Sequence, residues 1–165
     1  ALDILAEEGF TWDSSIFPVH HDRYGMPDSP RWPHTLTTDE GHTLAEFPLS
    51  TLKFPGYTLP IAGGGYFRLF PYWFSRWGLG SINRQGQPFV FYLHPWEVDP
   101  GQPRLDVKWF SRFRHYNNLD VCEQRLSKLL GHFPFTTMSN VLRTQGLLTD
   151  RAPEPMHLKT ASGLV

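Results

Sequence analysis

The sequence predicts an α/β fold with parallel strands, arranged as a sheet or a barrel. The first reason is the order of its segments, which is helix, strand, long insertion, helix, strand, helix, strand, helix. The second is composition: 40% of the 165 residues are hydrophobic and 15% are aromatic, which suits one packed domain and excludes a disordered chain. We expect the domain to cover residues 1–146 and a tail to follow at 147–165.

The first elements are a short helix and a short strand. Leu2, Ile4 and Leu5 form an apolar stripe that runs up to Gly9, a typical helix stop. Residues 10–13 then have the composition of a strand. Because the first residue is not methionine and lies next to an apolar stripe, we expect the chain to be a fragment or a processed product.

A loop-rich, partly β insertion is expected at 17–70. Seven prolines interrupt residues 17–60, and the short extended candidates are 44–47 and 58–62. Connections of this length without a helix are usually functional or disordered, and the many aromatic residues favour a functional segment. No Lys-Ser or Lys-Thr pair follows the three glycines at 63–65, so close backbone packing or a tight turn explains them better than a phosphate loop.

A helix is expected to begin near Pro71, a residue that suits the first helical turn. Trp73, Phe74 and Trp77 are predicted to face inward from this helix. The other tryptophans are also predicted to lie mostly in the core. Trp96 is the exception, because it stands close after the end of a predicted strand.

Four further elements are predicted in the second half. Residues 89–93 form a continuous apolar run without alternation, which indicates a strand buried on both faces. Residues 118–130 have a helical apolar stripe that includes Cys122, so this cysteine is expected to be a buried core thiol. A strand at 133–137 and a short helix at 139–145 complete the prediction.

Charge and composition exclude several classes of function. The 15 Lys and Arg residues balance 16 Asp and Glu residues, so no excess of positive charge favours nucleic acid as a partner. No apolar run approaches the ~18 to 20 residues of a membrane-spanning helix. The start, ALDILAEEGF, lacks the features of a secretion signal, which favours a cytoplasmic location. A single cysteine excludes an internal disulfide.

Two polar residues stand at the ends of predicted strands. Asp13 ends the first strand, and His94 directly follows the strand at 89–93. Because functional groups gather at the carboxyl ends of parallel strands, both are candidate site residues. The alternative for His94 is a histidine that only hydrogen-bonds a loop carbonyl.

A cationic and aromatic cluster precedes the helix predicted at 118–130. It comprises Arg112, Arg114, His115 and Tyr116. Guanidinium groups pair with carboxylates and tyrosine rings stack on sugars, so an acidic or amide-bearing saccharide would suit this cluster. A solvated loop with internal ion pairs is equally compatible with it.

The sequence His20-His21-Asp22 has the residue types of a metal site but not the spacing. In an extended segment only His20 and Asp22 could converge, because neighbouring side chains point to opposite faces. A third and a fourth ligand at a suitable spacing are missing, so no metal ligand is predicted in this chain.

Four motifs carry a resemblance to a known family. In chain order they are ALDILAEEGFTWDSSIFPVHHDRYGMPDSPRWP, AGGGYFRLFP, FVFYLHPWEVDP and SRFRHYNNL. Together they resemble the C-terminal portion of polysaccharide deacetylases of the NodB-homology type, carbohydrate esterase family 4. The most similar subgroup is the one encoded beside bacterial exopolysaccharide and exosortase genes.

The resemblance implies that this chain is the C-terminal portion of a distorted (β/α) barrel that removes acetyl groups from an N-acetylated polysaccharide. Enzymes of that family use one divalent metal, usually zinc, an aspartate base and a histidine that protonates the departing amine. Leu93 and His94 match the family's leucine-histidine motif, so His94 is expected to be the general acid and Leu93 to line the acetyl pocket. Asp13, in the sequence WDSS, matches an aspartate motif and is expected to orient the groups around the acid and the base.

The family's paired aspartates, its histidine pair and its arginine-proline segment are upstream motifs that this sequence does not contain. We therefore expect zinc only in the complete enzyme, with the missing N-terminal half of the barrel as a partner of this chain. The expected substrate-binding residues are Trp96, Glu97, Tyr66, Arg68, Arg114, His115 and Tyr116. The main alternative is a non-catalytic carbohydrate-binding module, and a structural subunit of a polysaccharide export assembly is a third.

Overall fold

The computed structural model describes residues 1–20 and 25–148, and it has a mixed α/β architecture. The helices are α1 (Leu2–Glu7), α2 (Gly64–Leu69), α3 (Tyr72–Arg84), α4 (Trp109–Tyr116), α5 (Leu119–His132) and α6 (Met138–Thr144), with a 3-10 turn at Pro95–Val98. The strands are β1 (Trp12–Asp13), β2 (His34–Thr37), β3 (Thr43–Glu46), β4 (Thr51–Phe54) and β5 (Tyr57–Pro60). In these ranges no helix is long and apolar enough to cross a membrane.

The first sheet contains three strands in the order β1-β3-β2. β1 runs parallel to β3 and places Asp13 opposite Glu46, whereas β2 runs antiparallel to β3 and places His34 opposite Glu46. Because directly opposite residues point to the same face of a sheet, these three polar residues form one row. The strand predicted at 10–13 is thus present, but it is only two residues long.

The second sheet is the β4-β5 hairpin, and it supports the main core. Its Leu52, together with Ile61 directly after the hairpin, packs with α2, α3 and α5. A Cβ atom on Gly78 of α3 would lie 2.8 Å from Leu52 Cδ1, so glycine lets the helix approach the hairpin closely. Cys122 is buried in this core as predicted, and burial raises the pKa of its thiol.

Neither sheet closes into a barrel within the described ranges, so the partial barrel stays a prediction. The extended candidates 44–47 and 58–62 correspond to β3 and β5, each shifted by one or two residues. The insertion predicted at 17–70 is therefore partly β, and it contributes buried residues to the core as well as loops.

Helix α3 begins directly after Pro71 as predicted, and Phe74 packs against the main core as predicted, but Trp73 and Trp77 do not face inward. Its buried residues recur with helical spacing from Ser75 to Ile82, with Gly78 and Leu79 between them. Trp73 and Trp77 lie on the opposite face and are 68% and 45% exposed. The prediction that most tryptophans lie in the core is also wrong, because Trp12 and Trp109 are exposed as well. Trp96, the predicted exception, is 44% exposed.

Residues 89–93 are extended, but they do not form the strand predicted to be buried on both faces. The Tyr92 N–H donates to the Ala62 carbonyl at 3.0 Å, and the Gly64 N–H donates to the Tyr92 carbonyl at 3.1 Å. This single parallel bridge pairs the segment on one side. Val90 alone is fully buried, and its four neighbours in the run are half-buried.

In the C-terminal half, one predicted helix is confirmed, and the segments before and after it differ from the prediction. Helix α5 matches the predicted helix at 118–130, whereas α4 was not predicted and residues 133–137 form no strand. Helix α6 is capped by Thr137, whose Oγ1 accepts the Asn140 N–H. Leu147 and Leu148 pack against a second core cluster, so the packed region extends past residue 146, and residues 149–165 lie outside the described ranges.

Candidate functional site

His94 is exposed at the N-terminal end of the 3-10 turn Pro95–Val98. Its ring stacks on the Trp96 ring with centroids 4.3 Å apart and planes 7° apart. Its backbone N–H donates to Glu97 Oε2 at 3.0 Å. The His94 imidazole is therefore exposed to solvent. The Glu97 carboxylate fixes its backbone, and the Trp96 ring fixes the orientation of the imidazole.

Glu97 anchors this turn through a buried ion pair with Arg68. The two residues are 4% and 3% exposed, and Arg68 Nη2 lies 3.2 Å from Glu97 Oε1. The guanidinium also donates to the carbonyls of Arg114, His115 and Asn117 at 3.3, 3.0 and 2.8 Å. Arg68 thus ties the His94 turn to the C-terminal end of α4.

Two of the three glycines at 63–65 allow a close approach, Gly64 to the Glu97 carboxylate and Gly63 to the Tyr92 ring. A Cβ atom on Gly64 would overlap Glu97 Oε2, and one on Gly63 would overlap the Tyr92 hydroxyl. The expectation of close backbone packing rather than a phosphate loop is therefore confirmed. No side chain larger than hydrogen fits at either position without movement of its neighbour.

Three of the predicted substrate-binding residues, Arg68, Glu97 and Tyr116, are buried and contact other residues of the chain. Their role as substrate contacts stays a prediction. Arg68 and Glu97 pair with each other. The Tyr116 hydroxyl accepts the Leu105 N–H at 2.8 Å and donates to the Pro103 carbonyl at 3.3 Å. These three side chains stabilise the segments around the clefts and are not themselves exposed there.

The other predicted substrate residues line two adjoining clefts. Tyr66, Arg114 and His115 line a cleft of about 350 Å³ between α2 and α4. Trp96 and His115 line a shallower depression of about 620 Å³ beside the His94 turn. His115 belongs to both clefts, and its Nε2 lies 3.1 Å from Gln102 Oε1. Aromatic and cationic groups therefore follow one another from Trp96 to Tyr66.

Leu93 is half-buried and packs against the main core. Its side chain thus packs the segment directly before the His94 turn against the main core. The role predicted for it in an acetyl pocket stays a prediction.

Asp13 lies at the end of β1 beside a buried carboxyl group that the sequence analysis missed. The Ser15 hydroxyl donates to Asp13 Oδ2, and Asp13 itself is half-buried. Glu46, opposite Asp13, is 0% exposed, and its Oε1 accepts the Ile16 N–H at 3.0 Å. Burial raises the pKa of Glu46 to about 7, the Asp13 carboxylate acts in the same direction, and the Ile16 N–H opposes both.

The contacts of the two predicted catalytic residues do not join them. His94 contacts Tyr92, Trp96 and Glu97, whereas the carboxylate of Asp13 contacts Ser15. Neither His94 nor Asp13 is among the described residues that line the two clefts. The structure brings His94 together with Trp96, which lines the depression beside the turn, and it places Asp13 in a separate row with Glu46.

Possible metal ligands converge at one place in the described ranges. One ligand atom from each of Glu7, Glu40 and His42 lies within 4.8 Å of the others, on the exposed side of α1 and the β2-β3 turn. Neither His94 nor Asp13 belongs to this group. His21 and Asp22 of the His-His-Asp sequence lie outside the described residues, and His20 is exposed.

Comparison with known proteins gives one match. A family model described as a domain of unknown function (DUF3473) matches residues 14–143. That domain is associated with polysaccharide deacetylases. No curated protein and no solved structure matches the chain.

Proposed function

The chain belongs to the DUF3473 family, and from this premise we propose that it is the C-terminal part of a metal-dependent polysaccharide N-deacetylase. The enzyme hydrolyses acetamido groups of an exopolysaccharide. The metal ligands and the catalytic base belong to an N-terminal part that completes the site. The observation that carries the proposal is an exposed histidine, His94, whose ring stacks on Trp96, a residue that lines the depression beside the turn.

In this proposal His94 supplies the proton that the leaving group needs. Hydrolysis adds a water oxygen to the carbonyl carbon and breaks the bond between that carbon and the amide nitrogen. A protonated His94 donates to the departing nitrogen, so the products are acetate and a free amine. The Glu97 carboxylate and the Trp96 ring fix the backbone and the ring plane of His94 during this transfer.

Zinc or another divalent metal supplies activation of the water in enzymes of this kind. The described residues do not fit such a site, because their one convergent group, Glu7, Glu40 and His42, is exposed and does not include His94. We therefore assign no zinc ligand in this chain and route no step through the metal.

The polymer contacts the surface that runs from Trp96 through His115 to Tyr66. Aromatic rings offer apolar faces to sugar rings, and the Tyr66 hydroxyl offers a polar edge. Arg114 is exposed at this surface and can pair with a carboxylate or a carbonyl of the saccharide. Arg68 and Glu97 contribute by holding α4 against the His94 turn.

Replacing His94 in the complete enzyme tests this function. We expect His94→Ala to lower turnover by about 100-fold or more, because general acid catalysis contributes that much. His132→Ala, which removes an exposed histidine at the end of α5, is the matched control and should keep the rate. An unchanged rate for His94→Ala would remove this residue from the mechanism.

One observation favours the second candidate, a non-catalytic carbohydrate-binding module. A groove of about 440 Å³ on the outer face of α3 is lined by Trp73 and Trp77 together with Arg76 and Arg84. A binding module predicts that the 165-residue chain alone retains saccharides and that Trp73→Ala weakens this retention. The enzyme predicts zinc uptake and acetate release only when the upstream part is present.

A further inference from the structure

Two carboxyl groups lie side by side at the carboxyl end of the β1-β3 pair. Asp13 and Glu46 are direct cross-strand partners, so their side chains leave the sheet on the same face. Asp13 is half-buried, whereas Glu46 is completely buried. The two groups thus share one location but differ in their access to water.

Only one of the two carboxyl oxygens of Glu46 accepts a hydrogen bond from the described residues. Oε1 accepts the Ile16 N–H, but Oε2 has no hydrogen-bond partner among the residues that the structure describes. The titratable groups that face it are Asp13 from β1 and His34 from β2. The His34 ring is directed to the Trp32 carbonyl, at 2.9 Å from Nδ1. In the described part of the chain, no cation forms an ion pair with Glu46.

A buried carboxylate without a cation is costly, and a second negative charge beside it increases the cost. The protonated form of Glu46 avoids both penalties and still accepts the Ile16 N–H through Oε1. It therefore fixes the segment from Asp13 to Ile16, in which the Ser15 hydroxyl donates to Asp13.

We propose that Glu46 is a positioning residue for Asp13, which in its neutral form holds the segment from Asp13 to Ile16 and whose ionisation loosens that segment. The inference rests on the proposed function together with the role that the family resemblance implies for Asp13, which is to orient the groups around the acid and the base. Glu46 touches neither substrate nor His94 and acts only through Asp13.

The raised pKa of Glu46 sets the direction of the pH dependence. The stability that its neutral form contributes is fully present below the unfolded value of 4.5 and is lost as the pH rises through about 7. Stability of the 165-residue chain should therefore fall between these two values. Glu46→Gln keeps the acceptor for Ile16 and removes the proton, so this loss should be reduced.

The first arm measures urea midpoints of the chain from pH 4.5 to 8.5 for wild type, Glu46→Gln and the control Glu123→Gln on the exposed face of α5. We expect the control to follow wild type and Glu46→Gln to fall less. Superimposable curves for all three would overturn the inference. Carbon-13 NMR titration of the wild-type glutamate carboxyls decides the same point if Glu46→Gln fails to fold, and an ordinary pKa for Glu46 would overturn it.

The second arm measures the pH profile of deacetylation by the complete enzyme. Above the pKa of Glu46, the turnover of wild type should fall more steeply with pH than that of Glu46→Gln, by up to about tenfold per pH unit. The other ionising groups of the site affect both enzymes alike. Equal profiles in active enzymes would reject Glu46 as a positioning residue and leave the proposed function intact. No acetate release by wild type would reject the proposed function, while the titration of the chain would still decide the state of Glu46.

Discussion

Glu97 and Glu46 are both buried glutamates, but Glu97 lies beside a cation, Arg68, whereas Glu46 lies beside a second carboxylate, Asp13. Glu97 accepts from Arg68 through Oε1 and from the His94 N–H through Oε2, so both of its oxygens have partners. Glu46 accepts the Ile16 N–H through Oε1 and faces the negative charge of Asp13, and within residues 1–20 and 25–148 no cation pairs with it. The difference shows that burial alone does not define the state of a carboxyl group, because the counter-charge decides it.

The two regions also differ in what they hold together. The Arg68–Glu97 pair joins α2, the Pro95–Val98 turn and the end of α4. Glu46 instead holds one short segment at the end of a two-residue strand. We therefore expect the Arg68–Glu97 region to be the rigid part of the site and the Asp13–Glu46 region to be the part that responds to pH.

The same substitution should have opposite effects in the two regions. Glu97→Gln leaves the buried Arg68 without its counter-charge, and one polar atom of glutamine, an N–H donor, must face another donor. Loss of one partner of a buried ion pair costs about 3–5 kcal/mol. Glu46→Gln should stabilise the chain at pH 8, because it removes a buried charge that no cation of the described residues neutralises. Urea unfolding at pH 8 measures both free energies of unfolding.

Glu123→Gln, at an exposed position of α5, serves as the control for both substitutions. It should change the free energy of unfolding by less than about 0.5 kcal/mol, as surface substitutions usually do. Loss of stability in Glu46→Gln comparable to that in Glu97→Gln would show that the two sites do not differ as the comparison requires.

The sequence predicts a helix well where its apolar residues recur at helical spacing and are buried in the core. Helix α5 has regularly spaced apolar residues that are buried, including Leu119, Cys122 and Leu129, and its position follows from them. Helix α4 has aromatic residues at helical spacing, Trp109, Phe113 and Tyr116, and this signal was overlooked. Only Tyr116 is buried, so the aromatic stripe does not mark a core-facing side.

The same limit applies to the site. The exposed positions of His94, Trp96 and Arg114 agree with their local sequence context. The pairing of Arg68 with Glu97, 29 residues away, depends on tertiary structure, so a sequence cannot distinguish these charges from substrate ligands. Glu46 was missed for a related reason, since its neighbour Asp13 is defined only by strand register.

A smaller effect tests how tightly the Arg68–Glu97 region is packed. Gly64→Ala places a methyl group against Glu97 Oε2 and should cost roughly 1–3 kcal/mol, as overpacking of a well-packed site does. Gly80→Ala is the matched control, because its methyl group would meet only Arg84 Nη1 at 3.4 Å and the edge of Phe133. In the interior of α3 this change should gain about 0.5–1 kcal/mol. Urea unfolding separates the two signs, and equal stability of both variants would mean that the turn around Glu97 shifts freely to accommodate the methyl group.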